Sequence, residues 1–540
     1  MPAAAAARQQ VVSSSRQTYV AARAAALGGD HARSARLFAA LAEADPGDSA
    51  IVRRAVAEAI SAGDTALALR LARKLPAGAL GIDARLLLVA EALRGGHEAQ
   101  ALTLLSSESA SDGEAGLDAI RPLITAWSQA DRRDAAGALE TLSQVPASGL
   151  IGPFVNEQRA LLLLKLGRTA DAEPFARRVI GTSGGREQRL RLAFADGFLA
   201  AGDRARALAM IEGMGTETGR ARRRVVAGRP SGLAIDTTAR AFSELLLGIA
   251  IDLNRINSRT LPISIAQVAR FAAPDNASAA VLLGVLLENQ GRLDEALAAF
   301  RSVPAANGLA AQARDAESRA LLDADRSDEA LRLAWAVAQS PDADVSDFAR
   351  LGDVFSNTKR YGEAADAYGQ ALARTEAAQP QQRWPMMLLR ASALESAGRW
   401  RESRDALEAA LALSPEQPLI LNFLGYAKLE RGEDLDGAEA MIRKASQIAP
   451  DDASITDSLG WAQFKRGRHD EAIETLQRAA LTDPGQAEIH EHLGDALFTV
   501  GRKFEARFAW AAAMVTAEDE VATRVKAKLE GGLTAASAAP

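Results

Sequence analysis

Three Leu-Gly pairs near the end of the chain, Leu424-Gly425, Leu459-Gly460 and Leu493-Gly494, recur at an interval of about 34 residues. Each is followed seven residues later by a further glycine: Gly432, Gly467 and Gly501. A fixed period of this length restricts the fold to a stack of like units, in which each unit buries its apolar face against the next. The same interval carries Ala438, Ala472 and Ala506, then Ile442, Leu476 and Trp510, then Ala445, Ala479 and Ala513, and Pro450 and Pro484 close two of the units. The spacing describes two helices joined by a tight turn. Small residues such as Gly460 and Ala472 fall where the antiparallel helices cross, and a larger side chain there would force the axes beyond the usual ~8–10 Å. Gly467 opens the turn. Pro484 has no amide donor and a ring that clashes with the preceding turn, so it ends the second helix.

The register runs upstream. Leu351-Gly352 leads to Tyr361, Ala364, Tyr368 and Ala371, and Leu283-Gly284 to Gly291, Ala296 and Phe300, with a weaker unit from Ala311 to Pro341 between them. The insertion EAAQPQQ before Trp384 lengthens one loop, after which Gly398, Trp400, Ser403, Leu407 and Pro415 resume the pattern. In the N-terminal half, Gly29, Gly63, Gly96, Gly167 and Gly202 sit at turn positions one or two units apart, and Ala68, Ala101, Ala172 and Ala207 follow the last four at a fixed distance. The expected fold is an all-α helix-turn-helix solenoid of about fourteen units in two lobes. A degenerate N-terminal lobe spans 1–218, an arginine-rich joint 219–235, a C-terminal solenoid 236–514, a capping helix 515–530 and a disordered tail 531–540.

These residues match the tetratricopeptide pattern, W-x2-L-G-x2-Y, then A-x3-F, then P. LNFLGYAKLERGEDLDGAEAMIRKA, ITDSLGWAQFKRGRHDEAIETLQRA and IHEHLGDALFTVGRKFEARFAW resemble a group of large tetratricopeptide repeat (TPR) proteins from alphaproteobacteria. The preceding LGDVFSNTKRYGEAADAYGQAL and ESAGRWRESRDALEAALALSP resemble the same group, so the similarity spans residues 345–514. What the resemblance implies is a solenoid that binds other proteins. Several members of that group are exported or envelope-associated, and this sequence departs from those in showing neither a signal peptide nor a lipobox cysteine.

Composition narrows the function classes. Aromatic residues make up only 5% of the chain, so its helices have to pack on alanine, leucine and other small or aliphatic side chains. The 63 basic and 69 acidic residues give a net charge of -6 spread along the chain, which leaves no whole-molecule field to gather nucleic acid or an anionic membrane. With no cysteine, disulfides, thiolate metal sites and cysteine nucleophiles are excluded. No apolar run approaches the ~20 residues of a membrane-spanning helix, and MPAAAAARQQVVSSSRQ lacks the apolar stretch of a signal peptide. The chain as written is therefore expected in the cytoplasm. Because PAAAAAR is the kind of small-residue run that flanks a signal-peptidase site, a Met1 lying inside a longer precursor would place it in the periplasm or envelope instead.

One segment invites a catalytic reading: DSLGWAQFKRGRHDEA sets Asp457, Ser458, His469 and Asp470 within sixteen residues. A nucleophile needs a base within about 2.6–3.2 Å and donors placed for the developing charge. The repeat register already gives each of these residues another place. Ser458 is mid-helix, His469 takes the slot held by Tyr361 and Trp400, and Asp470 stands in a helix first turn, where negative charge is favoured. His490, Glu491 and His492 diverge on a helix, unlike an i, i+4 ligand pair, so no metal or other cofactor is expected. Arg220, Arg222, Arg223 and Arg224 lack the interleaved aromatics of a nucleic-acid groove. They read as a solvated joint, with contact to an acidic partner as the alternative.

The functional expectation is geometric. Positions five, nine, twelve and thirteen of each first helix form one i, i+4, i+7, i+8 stripe along the inner surface. It reads Asn422, Tyr426 and Leu429, then Asp457, Trp461, Phe464 and Lys465, then Glu491, Asp495 and Phe498. Aromatic and acidic groups alternate, with Tyr426 and Trp461 in exposed slots and Phe464 and Phe498 either in the groove or between helices. A buried aromatic anchor with a polar surround is the usual build of a binding hot spot. Chaperone-binding tetratricopeptide domains hold a C-terminal carboxylate with lysine, arginine and asparagine at these positions. Asp457, Glu491 and Asp495 have the opposite sign, so a partner segment carrying lysine or arginine around an apolar residue is expected. The expected function is a non-catalytic scaffold or adaptor for protein–protein interaction, with an exported cell-envelope assembly or secretion accessory factor as the alternative.

Overall fold

The structure, a computed structural model, describes residues 2–106, 117–145, 151–214, 218–255, 260–341, 343–375 and 380–539. Among these residues are thirty α-helices and no strand. Twenty-eight of the helices pair as fourteen hairpins, and Thr218–Val226 and Asp519–Gly531 stand outside the pairing. The chain is an all-α solenoid of helical hairpins, as its period requires. No helix among the described residues is long and apolar enough to cross a membrane.

Turn chemistry produces the hairpins. Gly29, Gly63, Gly96, Gly167, Gly202, Gly291, Gly398, Gly432, Gly467 and Gly501 all have φ between 68° and 85°. At Gly467 the amide donates to the Phe464 carbonyl at 2.9 Å and the Arg468 amide to the Gln463 carbonyl at 3.0 Å, a closure whose left-handed residue costs any side chain but hydrogen ~1–2 kcal/mol. Arg133, Asp325 and Lys359 hold the same slot with φ of 66°, 55° and 58°. The unit absent from the glycine series between Gly96 and Gly167 is therefore present, with Arg133 at its turn. Asp64, Asp134, Asp203 and Asp434 then cap the second helices by accepting a first-turn amide. Where helices cross, a Cβ on Gly460 would lie 2.6 Å from Leu476 Cγ, and one on Gly494 2.3 Å from Trp510 Cδ1.

The helices gather into two compact units, Met1–Asp347 and Phe348–Pro540. The division falls inside the Val345–Asn357 helix, not in the 219–235 segment expected as a joint. That segment is fastened within the first unit by the arginines that suggested a solvated linker. Arg220 donates to Asp347 at 2.5 Å, Arg223 to Asp344 at 3.1 Å and Arg224 to the Ala306 carbonyl at 2.8 Å. Asp196 accepts the Ser231 and Leu233 amides at 2.6 and 2.8 Å.

In the first unit the hairpin of Thr238–Arg255 and Leu261–Ala272 folds back on the first helices of earlier hairpins, Ser49–Ser61, Ile82–Arg94 and Arg121–Asp131. One buried core consequently runs from Ala22 to Ala313. Polar groups fix the register. The Thr238 hydroxyl donates to Asp131 at 2.6 Å, Arg292 donates to the Ser61 carbonyl at 2.9 Å, and the Ser61 and Ser264 hydroxyls meet at 3.3 Å.

In the second unit the hairpins continue to Lys503–Thr516, and Asp519–Gly531 caps the stack with Val525 and Lys528 fully buried. Residues 531–540, expected as a disordered tail, contribute Ser537 and Ala539 to the interior. The Ala539 amide donates to Asp495 at 3.0 Å. A buried carboxylate that needs donors gives this short segment its order.

Candidate functional site

In the second unit Pro418–Glu430, Ala453–Lys465 and Ala487–Thr499 lie side by side, each the first helix of its hairpin. With Pro380–Ser396 and Asp519–Gly531 they line a cleft of about 620 Å³. Its apolar lining is Leu388, Leu389, Leu419 and Phe423, of which Leu389 is 40% and Leu419 44% exposed. The polar lining includes Asn422, Tyr426, Ser454, Asp457, Gln486, Glu488 and His492. The Asn422 amide donates to Ser458 Oγ at 3.2 Å, the Ser458 hydroxyl to the Ser454 carbonyl at 2.9 Å, and the Gln486 amide to Ser454 Oγ at 3.2 Å. Asn422 Oδ1 is buried and receives no donor among the described residues.

Of the ten side chains of the expected stripe, Asn422, Tyr426 and Asp457 line this cleft, and Leu429 is buried. Trp461, expected in an exposed slot, is 1% exposed. Its ring stacks between His492 at 4.2 Å and Phe464 at 4.7 Å, and its indole N–H donates to Glu430 at 3.1 Å. Phe464 packs against the hairpin that follows, and Phe498 against Trp510 at 5.4 Å. Lys465 is exposed, bonded to Glu430 at 3.4 Å. Trp461 at position nine and the large residues at position twelve are thus used between helices, and the cleft runs along positions two, five and six of these helices and along position nine at Tyr426, one turn nearer each helix N-terminus.

Glu491 and Asp495 are also withdrawn from the groove, each 0% exposed. Arg524 grips Glu491 with two bonds at 3.0 and 2.8 Å, and Lys528 Nζ reaches Glu491 at 2.6 Å and Asp495 at 2.7 Å. Trp510 donates to Asp495 at 2.9 Å. Burial pushes the Glu491 carboxyl up, but the bonds and charges of Arg524 and Lys528 outweigh it and hold the group below the ordinary carboxylate range. At Asp495 burial prevails over Lys528 and the group lies above that range. The acidic stripe expected to attract a basic partner is therefore partly neutralised by the chain's own capping helix.

The sequence did not indicate the pairing of Asp457 with His492. Nδ1–H of His492 donates to both carboxylate oxygens, at 2.9 and 3.0 Å. Burial disfavours the imidazolium, yet the Asp457 charge and hydrogen bond, with Glu491 and Asp495 behind them, raise the His492 pKa. Tyr426 is raised as well, by burial first and then by Glu430 and Asp457. The residues of the catalytic reading do not assemble. Ser458 bonds Ser454 and Asn422, and His469 tilts against the Phe464 ring at 5.3 Å. His490, Glu491 and His492 diverge to the Pro484 carbonyl, to Arg524 and Lys528, and to Asp457.

Two tetratricopeptide repeat models match the sequence, one over residues 429–496 and the other over 265–311 and 388–453. Among curated proteins none matches it. Solved structures with a similar chain include the APC/C hetero-tetramer Cut9-Hcn1, 16% identical over 96% of each chain with a TM-score of 0.36. A tetratricopeptide repeat protein from Parabacteroides merdae is 13% identical over 53% of this chain and 97% of its own, with a TM-score of 0.36. A thermophilic TPR protein in Thermus thermophilus is 20% identical over 34% of this chain and 99% of its own, with a TM-score of 0.31. At these identities the likeness concerns the fold alone.

Proposed function

We propose that this tetratricopeptide-type chain is a non-catalytic scaffold that takes a segment of another protein into the cleft of its second unit. The observation that carries the reading is Asn422 Oδ1, a buried acceptor with no donor among the described residues, lining the same cleft as the exposed Leu389 and Leu419. A buried carbonyl without a hydrogen bond costs about 1–3 kcal/mol, so the site favours a ligand that brings an N–H together with an apolar side chain. A peptide backbone does both. Its amide bonds Asn422 Oδ1 as that side chain turns from its buried position into the cleft, while an aliphatic or aromatic side chain covers Leu388, Leu389, Leu419 and Phe423. Glu491 and Asp495 already have cations, so a lysine or arginine of the segment faces Glu488 at the exposed edge and the Tyr426 hydroxyl beyond it.

The test is selection from a random peptide library on the full chain and on Asn422→Ala and Leu419→Asp variants. Leu419 is 44% exposed, so Leu419→Asp should retain the wild-type melting temperature, and a melting curve of Asn422→Ala, which loses both a bond to Ser458 and an unsatisfied acceptor, establishes that the variant is folded before binding is compared. Enrichment of peptides with an apolar residue beside lysine or arginine, lost with either variant, is the expected result. Enrichment of acidic peptides, or binding that survives both substitutions, overturns the assignment.

A further inference from the structure

The last hairpin presents an apolar stripe that the two before it lack. With the second helices aligned on Ala438, Ala472 and Ala506, the outward slots of Leu435–Ile448 hold Asp436, Ala440, Arg443 and Gln447, all exposed. Those of His469–Thr482 hold Asp470, Glu474, Gln477 and Leu481, also exposed. In Lys503–Thr516 the same slots hold Phe504, Phe508, Ala511 and Val515. Phe504 is 75% exposed, Phe508 62% and Val515 82%, and the two phenyl rings meet edge to face at 4.8 Å. The hairpin's own interior has no use for them, since Ala506, Ala509, Trp510 and Ala513 fill it. Steps of four, three and four residues are those of a seam between two packed helices.

We propose that this stripe is a self-association surface that receives the same stripe of a second copy about a two-fold axis. Size complementarity favours that occupant. An antiparallel crossing centred between Phe508 and Ala511 sets Phe504 against Val515 of the second copy and Phe508 against its Ala511, large against small along the whole seam. The flanks are compatible as well, since Arg507 then faces Ala512 and Glu505 faces Met514, and no like charges meet. Glu505 stays bonded to Arg502 at 2.8 Å, and Arg507 to the Leu529 carbonyl, within each copy.

The area fixes the strength. Aromatic side chains bury ~150–250 Å² each, so at these exposures the stripe offers on the order of 400 Å² per copy, roughly 800 Å² for two before the flanking residues. Specific interfaces begin near 1,200 Å² in total. The association is therefore concentration-dependent, and the monomer is a folded species.

Sedimentation of the full chain over roughly 1–200 μM, the range expected of a small interface, tests this. The mass rises from monomer to dimer for the wild type and stays at monomer for Phe504→Glu/Phe508→Glu, whose melting curve is unchanged because both side chains are solvent-exposed. Val226→Glu, at a 54% exposed apolar residue of the first unit, dimerises like the wild type. Because the chain has no cysteine, Ala511→Cys reports the seam directly: a short thiol–thiol crosslinker joins two copies across the axis, and Glu474→Cys in the preceding hairpin is not joined. A wild type that stays monomeric throughout, or a double phenylalanine variant that dimerises undiminished, overturns the proposal.

Discussion

Lys528 carries its ammonium to a place with no solvent exposure, where Glu491 and Asp495 are its counter-charges. Replacement by methionine keeps the volume, leaves Glu491 with Arg524 as its counter-charge and takes from the buried Asp495 its bonded cation, a loss of about 3–5 kcal/mol for a broken buried ion pair. Urea denaturation measures it, and a loss below about 1 kcal/mol, the worth of a surface pair, would remove the network from the account. His492 gives a second prediction with a defined sign. Its folded pKa lies above its unfolded value near 6.5, so the pair with Asp457 stabilises fully below about pH 6.5 and loses that contribution as pH rises through the folded value. The melting-temperature gap between wild type and His492→Gln should be wider near pH 6 than near pH 9. A gap independent of pH would mean that His492 keeps a single protonation state across that range. Gly460 and Gly494 were readable as crossing residues because one helix pair decides their environment. Asp457 and His492 lie 35 residues apart, in different hairpins, and no spacing rule within one unit brings them together.

Within the hairpin as an element, the period specifies the turn, and its exceptions have a measurable cost. Lys359 occupies a left-handed turn with φ of 58° where most other units use glycine. Lys359→Gly should stabilise by up to about 1 kcal/mol, the left-handed penalty less the backbone entropy of glycine, seen as a raised urea midpoint. No rise would place compensating contacts at that turn. The groove lies one turn from its expected place because of how the hairpins overlap. The stripe at positions five, nine, twelve and thirteen follows from helix periodicity, which says which residues share a face but not how far the next hairpin covers it. Overlap covers Trp461 and Phe464, and leaves Leu419, Asn422, Tyr426 and Asp457 lining the cleft. Leu419 and Ser454 lie three residues before Asn422 and Asp457 on the same face, so a stripe extended one turn back includes them.

Across the molecule, the first unit departs most from a simple stack. Thr238–Arg255 is packed on by Arg121–Asp131 and Ile82–Arg94 as well as by its own hairpin partner. Phe242, 2% exposed, should therefore cost about 3–5 kcal/mol on truncation to alanine. Amide exchange should accelerate across Ile82–Arg94 and Arg121–Asp131 as well as around residue 242. Acceleration confined to the Thr238–Arg255 hairpin would separate that hairpin from the core of the earlier ones.

The order of residues along the chain was enough for the repeat, the helical hairpin, the glycine turns, the small crossing residues and the all-α class. All of these are set by contacts within one unit or between successive units, at fixed distances along the chain. The packed molecule was needed to show that the arginine run is bonded inside the first unit, that the capping helix supplies the cations for Glu491 and Asp495, and that the open cleft begins at Leu389 and Leu419. Those outcomes depend on contacts between segments as far apart as Arg220 and Asp347, or on how far one hairpin covers the next. A periodic sequence states its local geometry in every repeat, but it carries no comparable record of which faces remain uncovered once the repeats have packed.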